Sequence, residues 1–281
     1  MLTDTHGHVA RALLLACGWE LNPAHIAGVA GIATDRATPG FIGEEHLVDF
    51  PGLGMPCCTQ VDISLEQAGD NWYPGWRTLA RWHGGWASLV GDARAIRIGD
   101  CDGLVQAAIK SIDDAIEAGK PITREMMIAL GMAIHAALDT CSHSGYWPCW
   151  HPANRNPEYR HHCWQVWKRA IPCIMHSQYL TEPDRIEGRG RQGHPEGTRV
   201  TRGKVFTELY RLQPILHRPG ASDGAFAALV DAVRKADDDE DLRARCDALA
   251  TQITGAELQP MACWERGQIE WKEFFAVARR G

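Results

Sequence analysis

The segment TREMMIALGMAIHAALDTC, residues 123–141, decides the fold class that the sequence predicts. Apolar side chains recur at Met127, Leu130 and Ile134, which is the spacing of one face of an α-helix. Thr123 is a residue type that caps helix N-termini by accepting a backbone hydrogen bond. The segment therefore predicts a helix that runs from Thr123 toward Cys141.

The same criteria predict helices along most of the chain. Apolar spacing, N-cap residues and glycine stops predict helices at residues 7–17, 22–35, 104–117, 158–179, 225–236, 241–253 and 261–279. Periodicity is poor at 36–103, where we expect loops with short helices, and at 181–204, where we expect a mobile loop. We predict an all-α protein: a single helical domain over residues 1–281 with long irregular loops around a buried metal site. Residues 205–281 are expected to form C-terminal helices that pack on it.

The end of the segment at 123–141 carries residue types that bind metals. His135 and Asp139 are one helical turn apart, and His143 follows on the same stripe if the helix continues. An imidazole and a carboxylate at this spacing can reach one Zn, Mn or Fe ion. The alternatives are a solvated polar stripe or a core histidine with ordinary hydrogen bonds. Since Ile134 and Ala136 flank His135, we favour a buried pair, which needs a metal or other partners to offset its desolvation.

Further candidate ligands lie far from this segment in the sequence. His6 is close to the start of the chain, His83 lies between Trp82 and a Gly-Gly pair, and His194 lies within the predicted mobile loop. Asp35 follows an apolar run, where an aspartate usually serves as a helix cap or turn residue. Taken one at a time, each of these residues fits either a structural role or a metal-binding role.

The order of these residues resembles that of a bacterial family of uncharacterised proteins with predicted metal sites. The family signature, Gly-x-Ala-x-His-x-x-x-Asp-Thr-x-Ser-His-x-Gly-aromatic, matches residues 131–146 closely. Other anchors match as well: Asp4-Thr-His6, Gly18-Trp19, Ala33-Thr34-Asp35 and Gly193-His194.

More distantly, the chain resembles the zinc-dependent phospholipase C and S1/P1 nuclease fold, which is all-helical and gathers His and Asp residues around a cluster of metals. Two features depart from it: those nucleases use the N-terminal amino group as a ligand, and their second helix-borne His-x-x-x-Asp pair has no counterpart here. The resemblances imply five metal ligands and two further candidate ligands. These are His6, Asp35, His135, Asp139 and His143, followed by His83 and His194.

Aromatic residues are frequent around the predicted site. Trp82 and Tyr146 are candidates for walls of a substrate pocket, and core packing is the alternative for each. The ten cysteines contain no C-x-x-C pair, which argues against a zinc knuckle and favours buried thiols.

Net charge and hydropathy limit the classes of partner that the sequence predicts. A formal net charge of −6 argues against nucleic acid as the main partner, because binding its backbone requires clustered Lys and Arg. The sequence has no apolar stretch of the roughly 18 residues that a membrane span needs, and its first residues are polar, unlike a secretory signal. We therefore expect a cytoplasmic protein with a small-molecule substrate and no membrane partner.

These observations predict a metal-dependent hydrolase in which one or two divalent ions (Zn, Fe or Mn) activate a water molecule. Two alternatives remain open at this point. One is a non-haem di-iron oxygenase or oxidase with the same ligands, and the other is a non-catalytic metal-binding protein. The sequence specifies neither the substrate nor the oligomeric state.

Overall fold

A computed structural model describes residues 3–36, 48–49, 56–57, 93–139 and 202–261, together with the helical residues Glu273 and Val277. Within these ranges the elements are α1 (Thr3–Ala16), α2 (Leu21–Arg36), β1 (Val48–Asp49), β2 (Pro56–Cys57), α3 (Ala93–Glu117), α4 (Arg124–Asp139), α5 (Arg202–Leu216), α6 (Asp223–Lys235) and α7 (Asp239–Thr254). The two short strands pair antiparallel. The predicted all-α class is confirmed for this part of the chain.

Local signals set several helix ends. Gly18 and Gly119 follow α1 and α3 with φ angles of 90° and 66°, a left-handed conformation that favours glycine after a helix. The hydroxyl of Thr123 accepts a hydrogen bond from the Met126 amide at 3.4 Å, so it caps α4 as predicted. These three boundaries follow from single residues whose chemistry is specific to helix ends.

Two helices begin earlier than predicted. α1 begins at Thr3 rather than Gly7, so His6 and His8 lie inside the helix instead of before it. α3 begins at Ala93 rather than at residue 104, because Gly103 does not end the helix. A helical glycine costs roughly 0.5–1 kcal/mol relative to alanine, which the remaining turns of this long helix offset.

The C-terminal third differs more from the prediction. C-terminal helices were expected from residue 205 onward, but no individual helix was predicted at the position of α5. Its first three residues fall within the segment 181–204 that the sequence assigns to a mobile loop. The helix predicted at 261–279 does not begin at its first residue, because Met261 lies in an irregular stretch after α7, whereas Glu273 and Val277 are helical.

Helix α2 lies between α1 and α4 at very short range, because glycines face the contacts. A methyl group at Gly7 of α1 would lie 2.6 Å from the carbonyl oxygen of Gly28 in α2. A methyl group at Gly131 of α4 would lie 2.8 Å from the Cα of Ala27. No real Cβ approaches so closely, so both positions require glycine in this arrangement.

The remaining helices complete one hydrophobic core with these three. Buried side chains from α3, α5, α6 and α7 belong to the same cluster as those of α1, α2 and α4. Trp19, just after α1, donates its indole N–H to the Leu216 carbonyl oxygen at the end of α5 (2.8 Å). The Arg218 guanidinium lies 4.6 Å from the Trp19 ring and pairs with Asp113 of α3. The chain after α5 is thereby tied to both α1 and α3.

None of the helices in the described ranges has the length and apolar character needed to cross a membrane.

Candidate metal centre

Three helix ends meet at one end of the bundle. Gly7 lies beside Gly28 and Ile32, so the beginning of α1 lies beside the second half of α2 and the two helices run antiparallel. Ala27 lies beside Gly131, and Gly31 lies beside His135, so α2 and α4 run parallel. The N-terminal end of α1 is therefore close to the C-terminal ends of α2 and α4.

His6 and His135 come together at this end. Their ring centroids are 4.6 Å apart, with the ring planes tilted by 44°. Each residue is only 1% exposed. The sequence separates them by more than a hundred residues, and the packing of α1 and α4 on α2 brings them into contact. Two imidazoles at this separation can point a nitrogen at one ion, for which each Zn–N distance is about 2.0–2.1 Å.

The register of α2 and α4 brings two aspartates level with each other. Ala27 pairs with Gly131, and one turn later Gly31 pairs with His135, where a methyl group on Gly31 would lie 3.9 Å from the His135 Cβ. One further turn along both parallel helices brings Asp35 level with Asp139. The structure describes both at the backbone level, as residues of the last helical turns, and their side chains lie outside the described part.

The helix dipoles make this end of the bundle favourable for a cation. The C-terminal end of an α-helix carries about half a negative charge, and here the ends of α2 and α4 are adjacent. An aspartate at such an end adds negative charge where the helix already has it. The last turn of α4 has no basic residue, whereas α2 ends at Arg36. The N-terminal end of α1 offsets one of the two helix ends. A bound divalent cation would offset the rest.

The other predicted site residues lie outside the described residues. They are the candidate ligands His83, His143 and His194 and the candidate pocket residues Trp82 and Tyr146. Within the described ranges, no group of three or more His, Cys, Asp or Glu side chains is placed to hold a metal ion. His6 and His135 are therefore the predicted ligands whose side chains the structure brings together, and their role as ligands stays a prediction.

A second polar cluster, which sequence reasoning missed, lies on another side of α1. Arg11 is 1% exposed, and its Nη2 donates to Asp247 Oδ1 of α7 at 2.7 Å. His8 Nδ1 donates to the same oxygen at 2.5 Å. Arg11 Nη1 donates to His25 Nδ1 of α2 at 3.2 Å. The available signal was Arg11 itself, a charged residue within the otherwise apolar run at residues 9–17.

The carboxyl group of Asp247 responds to its charged neighbours. Burial by itself would raise its pKa, but the hydrogen bond from His8 and the positive charges of His8 and Arg11 together lower that pKa below the ordinary aspartate value. Asp247 therefore remains a carboxylate at neutral pH and compensates the buried guanidinium of Arg11.

Two cysteines whose side chains the structure describes behave as small apolar residues. Cys17 and Cys246 are both buried. Burial raises the pKa of the Cys17 thiol to about 12 and also raises the pKa of Cys246. Thiols of this kind are protonated at neutral pH and are therefore poor nucleophiles.

A cavity of about 270 Å³ lies at the opposite end of α2 and α4 from the histidine pair. It is lined by Asn22, Pro23 and Ile26 on one side and by Thr123, Arg124 and Met127 on the other. Arg124 is paired with Glu273 at 2.9 Å. Because this cavity is at the end of α2 and α4 that is remote from His6 and His135, it does not contribute to the candidate metal centre.

Comparisons with protein-family models, with curated proteins and with solved structures find no match to this chain.

Proposed function

We propose that this chain is a metal-dependent hydrolase that holds one or two divalent ions (Zn, Fe or Mn) at the end of the bundle where α1, α2 and α4 meet. The observation that carries the proposal is the contact between the buried rings of His6 and His135. In the proposal Asp35 and Asp139 complete the site from the adjacent helix ends. His143, His83 and His194 are further ligands from the rest of the chain.

The donor set suits these metals. Imidazole nitrogens and carboxylate oxygens bind Zn, Fe and Mn, whereas Ca and Mg prefer oxygen ligands alone. The competing interpretation is a pair of core histidines with a purely structural role. Two aliphatic residues would fill the same space without burying polar atoms, so stability alone does not account for histidines at both positions.

The proposed roles of the residues follow from their positions. His6 and His135 hold the ion through neutral imidazole nitrogens, and the two aspartates offset its charge from the ends of α2 and α4. A cation bound in this way lowers the pKa of a coordinated water toward about 7 and polarises the scissile group. Trp82 and Tyr146 are proposed to contact a small-molecule substrate beside the ion.

Metal analysis of protein purified without chelator tests the proposal. Wild type is expected to contain at least one Zn, Fe or Mn ion per chain, and His135→Ala is expected to lose most of it. Because binding to the native state alone stabilises that state, adding the metal should raise the melting temperature of wild type by more than that of His135→Ala. His217→Ala is the matched control, since it removes an exposed histidine between α5 and α6 and should keep the metal.

The identity of the metal separates hydrolysis from the two alternatives. Zinc excludes oxygen activation, and a zinc protein that cleaves a chromogenic ester or phosphodiester only when loaded supports the hydrolase. Two irons with a visible absorption band would favour the oxygenase instead. A loaded ion without an open coordination position would favour a non-catalytic role. Wild type and His135→Ala with equal metal content would overturn the proposed site.

A further inference from the structure

Three polar residues of α1 connect it to three other helices. His6 contacts His135 of α4, His8 contacts Asp247 of α7, and Arg11 contacts both Asp247 and α2. The part of α1 that carries His6 is therefore held from a second side by charged groups. Ends of helices fray unless other contacts hold them.

Asp247 is the shared acceptor of this second set of contacts. One oxygen, Oδ1, accepts from His8 Nδ1 at 2.5 Å and from Arg11 Nη2 at 2.7 Å. The side chains of His8 and Arg11 are 14% and 1% exposed, whereas that of Asp247 is 38% exposed. One carboxylate at the surface of α7 thus holds two side chains that are less than one helical turn apart on α1.

Arg11 extends these contacts to two further segments. Its Nη1 donates to the Gln259 carbonyl oxygen, in the stretch after α7, at 3.2 Å. The same nitrogen donates to His25 Nδ1, and because a guanidinium can only donate, His25 carries its proton on Nε2 when neutral. Arg11 therefore fixes the position of α1 relative to α2 and to the C-terminal stretch, provided that its charge is compensated.

We propose that Asp247 is a positioning residue of the metal centre: through His8 and Arg11 it holds the first two turns of α1 in the place where His6 meets His135. This inference rests on the proposed function, since it concerns the same site. In this proposal Asp247 of α7 does not bind the metal. It determines the position of the ligand His6.

The positioning role has a physical basis in the tolerance of metal sites. Ligands must be held within about 0.5 Å of their productive positions by the residues around them. Outer partners that orient a ligand typically contribute 10–100-fold to metal affinity. Asp247 acts on His6 through the α1 backbone, over a distance of less than two helical turns.

A double-mutant cycle separates positioning from general stabilisation. Zinc affinity is measured by competition with a chromogenic chelator for wild type, Asp247→Asn, His6→Ala and the double variant, and each melting temperature is recorded alongside. Asp231→Asn is the matched control, because Asp231 of α6 is paired with Lys235 and Arg234 at the surface. It removes one carboxylate charge far from α1.

Asp247→Asn is expected to weaken zinc binding at least tenfold in the His6 background and less than twofold in the His6→Ala background, while it lowers the melting temperature in both. A merely structural role would lower the melting temperature in the same way but would leave the zinc affinity of the folded protein unchanged, which would overturn the inference. An equal loss of affinity in both backgrounds would also overturn it, because the effect would not pass through His6.

Two further outcomes are decided in advance. If Asp247→Asn does not fold, Asp247→Glu replaces it: the charge is kept, the side chain is one methylene longer, and zinc binding should fall at least threefold in a protein with a near-native melting temperature. Unchanged zinc binding in Asp247→Glu would then overturn the inference. A wild-type protein that binds no zinc, iron or manganese overturns the proposed function and this inference with it, whereas metal binding that is indifferent to Asp247 overturns the inference alone.

Discussion

Helices α6 and α2 show two different ways of holding a helix in the same molecule. α6 has Ser222 as its N-cap, Asp223 in its first turn and Arg234 and Lys235 in its last turn. It buries an apolar face and exposes the other. In α2, by contrast, every residue from Ala24 to Thr34 is buried. α6 is stabilised largely by signals in its own sequence, whereas α2 depends on the close approach of α1 and α4.

The two regions also differ in where their polar groups lie. The charged residues of α6 and its neighbour α7 lie mostly at their ends and on exposed faces, where ion pairs contribute about 0–1 kcal/mol each. Around α2 the polar groups are buried: His6 and His135 at one end, and Arg11 with His25 along the side. Burying polar groups costs free energy that apolar side chains would not cost, so this region is where a function beyond stability is expected.

The largest effect is expected from filling the closest helix contact. Gly131→Ala would place a methyl group against the backbone of Ala27, where no flexible side chain can move aside. Forcing α2 and α4 apart is expected to cost about 3 kcal/mol, within the range for overpacked cores. Chemical unfolding followed by circular dichroism measures this loss.

Gly103→Ala in α3 is the control for that substitution. Among the described residues, and apart from the backbone of α3 itself, no atom lies within 4 Å of a methyl group built on Gly103, so alanine should stabilise this helix by about 0.5–1 kcal/mol. If both variants changed stability in the same direction, the contrast between closely packed and self-sufficient helices would be lost.

The next effect concerns Asp247, which connects the two regions. Asp247→Asn leaves the guanidinium of Arg11 buried without its carboxylate, and we expect a loss of about 2–3 kcal/mol at pH 7, below the usual cost of breaking a fully buried pair because Asp247 is partly solvated. Urea unfolding of wild type and variant, with Asp231→Asn as the control, gives the difference.

The difference between wild type and Asp247→Asn should depend on pH with a definite sign. The pKa of Asp247 is lowered in the folded state, so its contribution is complete above the unfolded aspartate pKa of about 3.9 and is lost as the pH falls through the lower folded value. The stability difference should therefore narrow as the pH falls below about pH 4. A difference that widens toward acid pH would contradict this assignment.

The smallest loss of stability is expected at the N-cap of α6. The Ser222 hydroxyl accepts a hydrogen bond from the Ala225 amide at 3.2 Å. Ser222→Ala should cost about 1 kcal/mol, as for other N-cap serines, and Ser222→Gly only a few tenths. Since Ser222 is remote from His6 and His135, neither variant should alter the metal content, and a loss of metal in either would show that the two regions are coupled.

The sequence predicts the self-sufficient parts of this fold best. Thr123, Gly119 and Gly18 mark helix ends through local chemistry, and the structure has them where the sequence predicts. The apolar residues of α5 recur at helical spacing, at Val205, Leu209, Leu212 and Leu216. The helix was nevertheless not predicted individually, because Gly203 and Pro214 near its two ends are residue types typical of loops. Pro214 has no N–H to bond to the Tyr210 carbonyl oxygen, and its place in the last turn confines that loss to the end of the helix.

Only part of the candidate site could be predicted from the sequence. The spacing of His135 and Asp139 follows from one helix, and a family resemblance added His6 and Asp35. The parallel register that brings Asp35 level with Asp139 follows from the fit of Gly31 and Gly131, which no local pattern encodes. The contact between Arg11 and Asp247 was missed for the same reason, since it depends on how α7 packs on α1.

X-ray absorption spectroscopy of the bound metal tests most directly the claim that His6 and His135 hold one ion. We predict that the wild-type spectrum shows at least two imidazole ligands at about 2.0–2.1 Å and that His6→Ala and His135→Ala, reloaded with the same metal, each show one fewer. An unchanged number of imidazoles in either variant would contradict the account, as would sulfur ligands at about 2.3 Å.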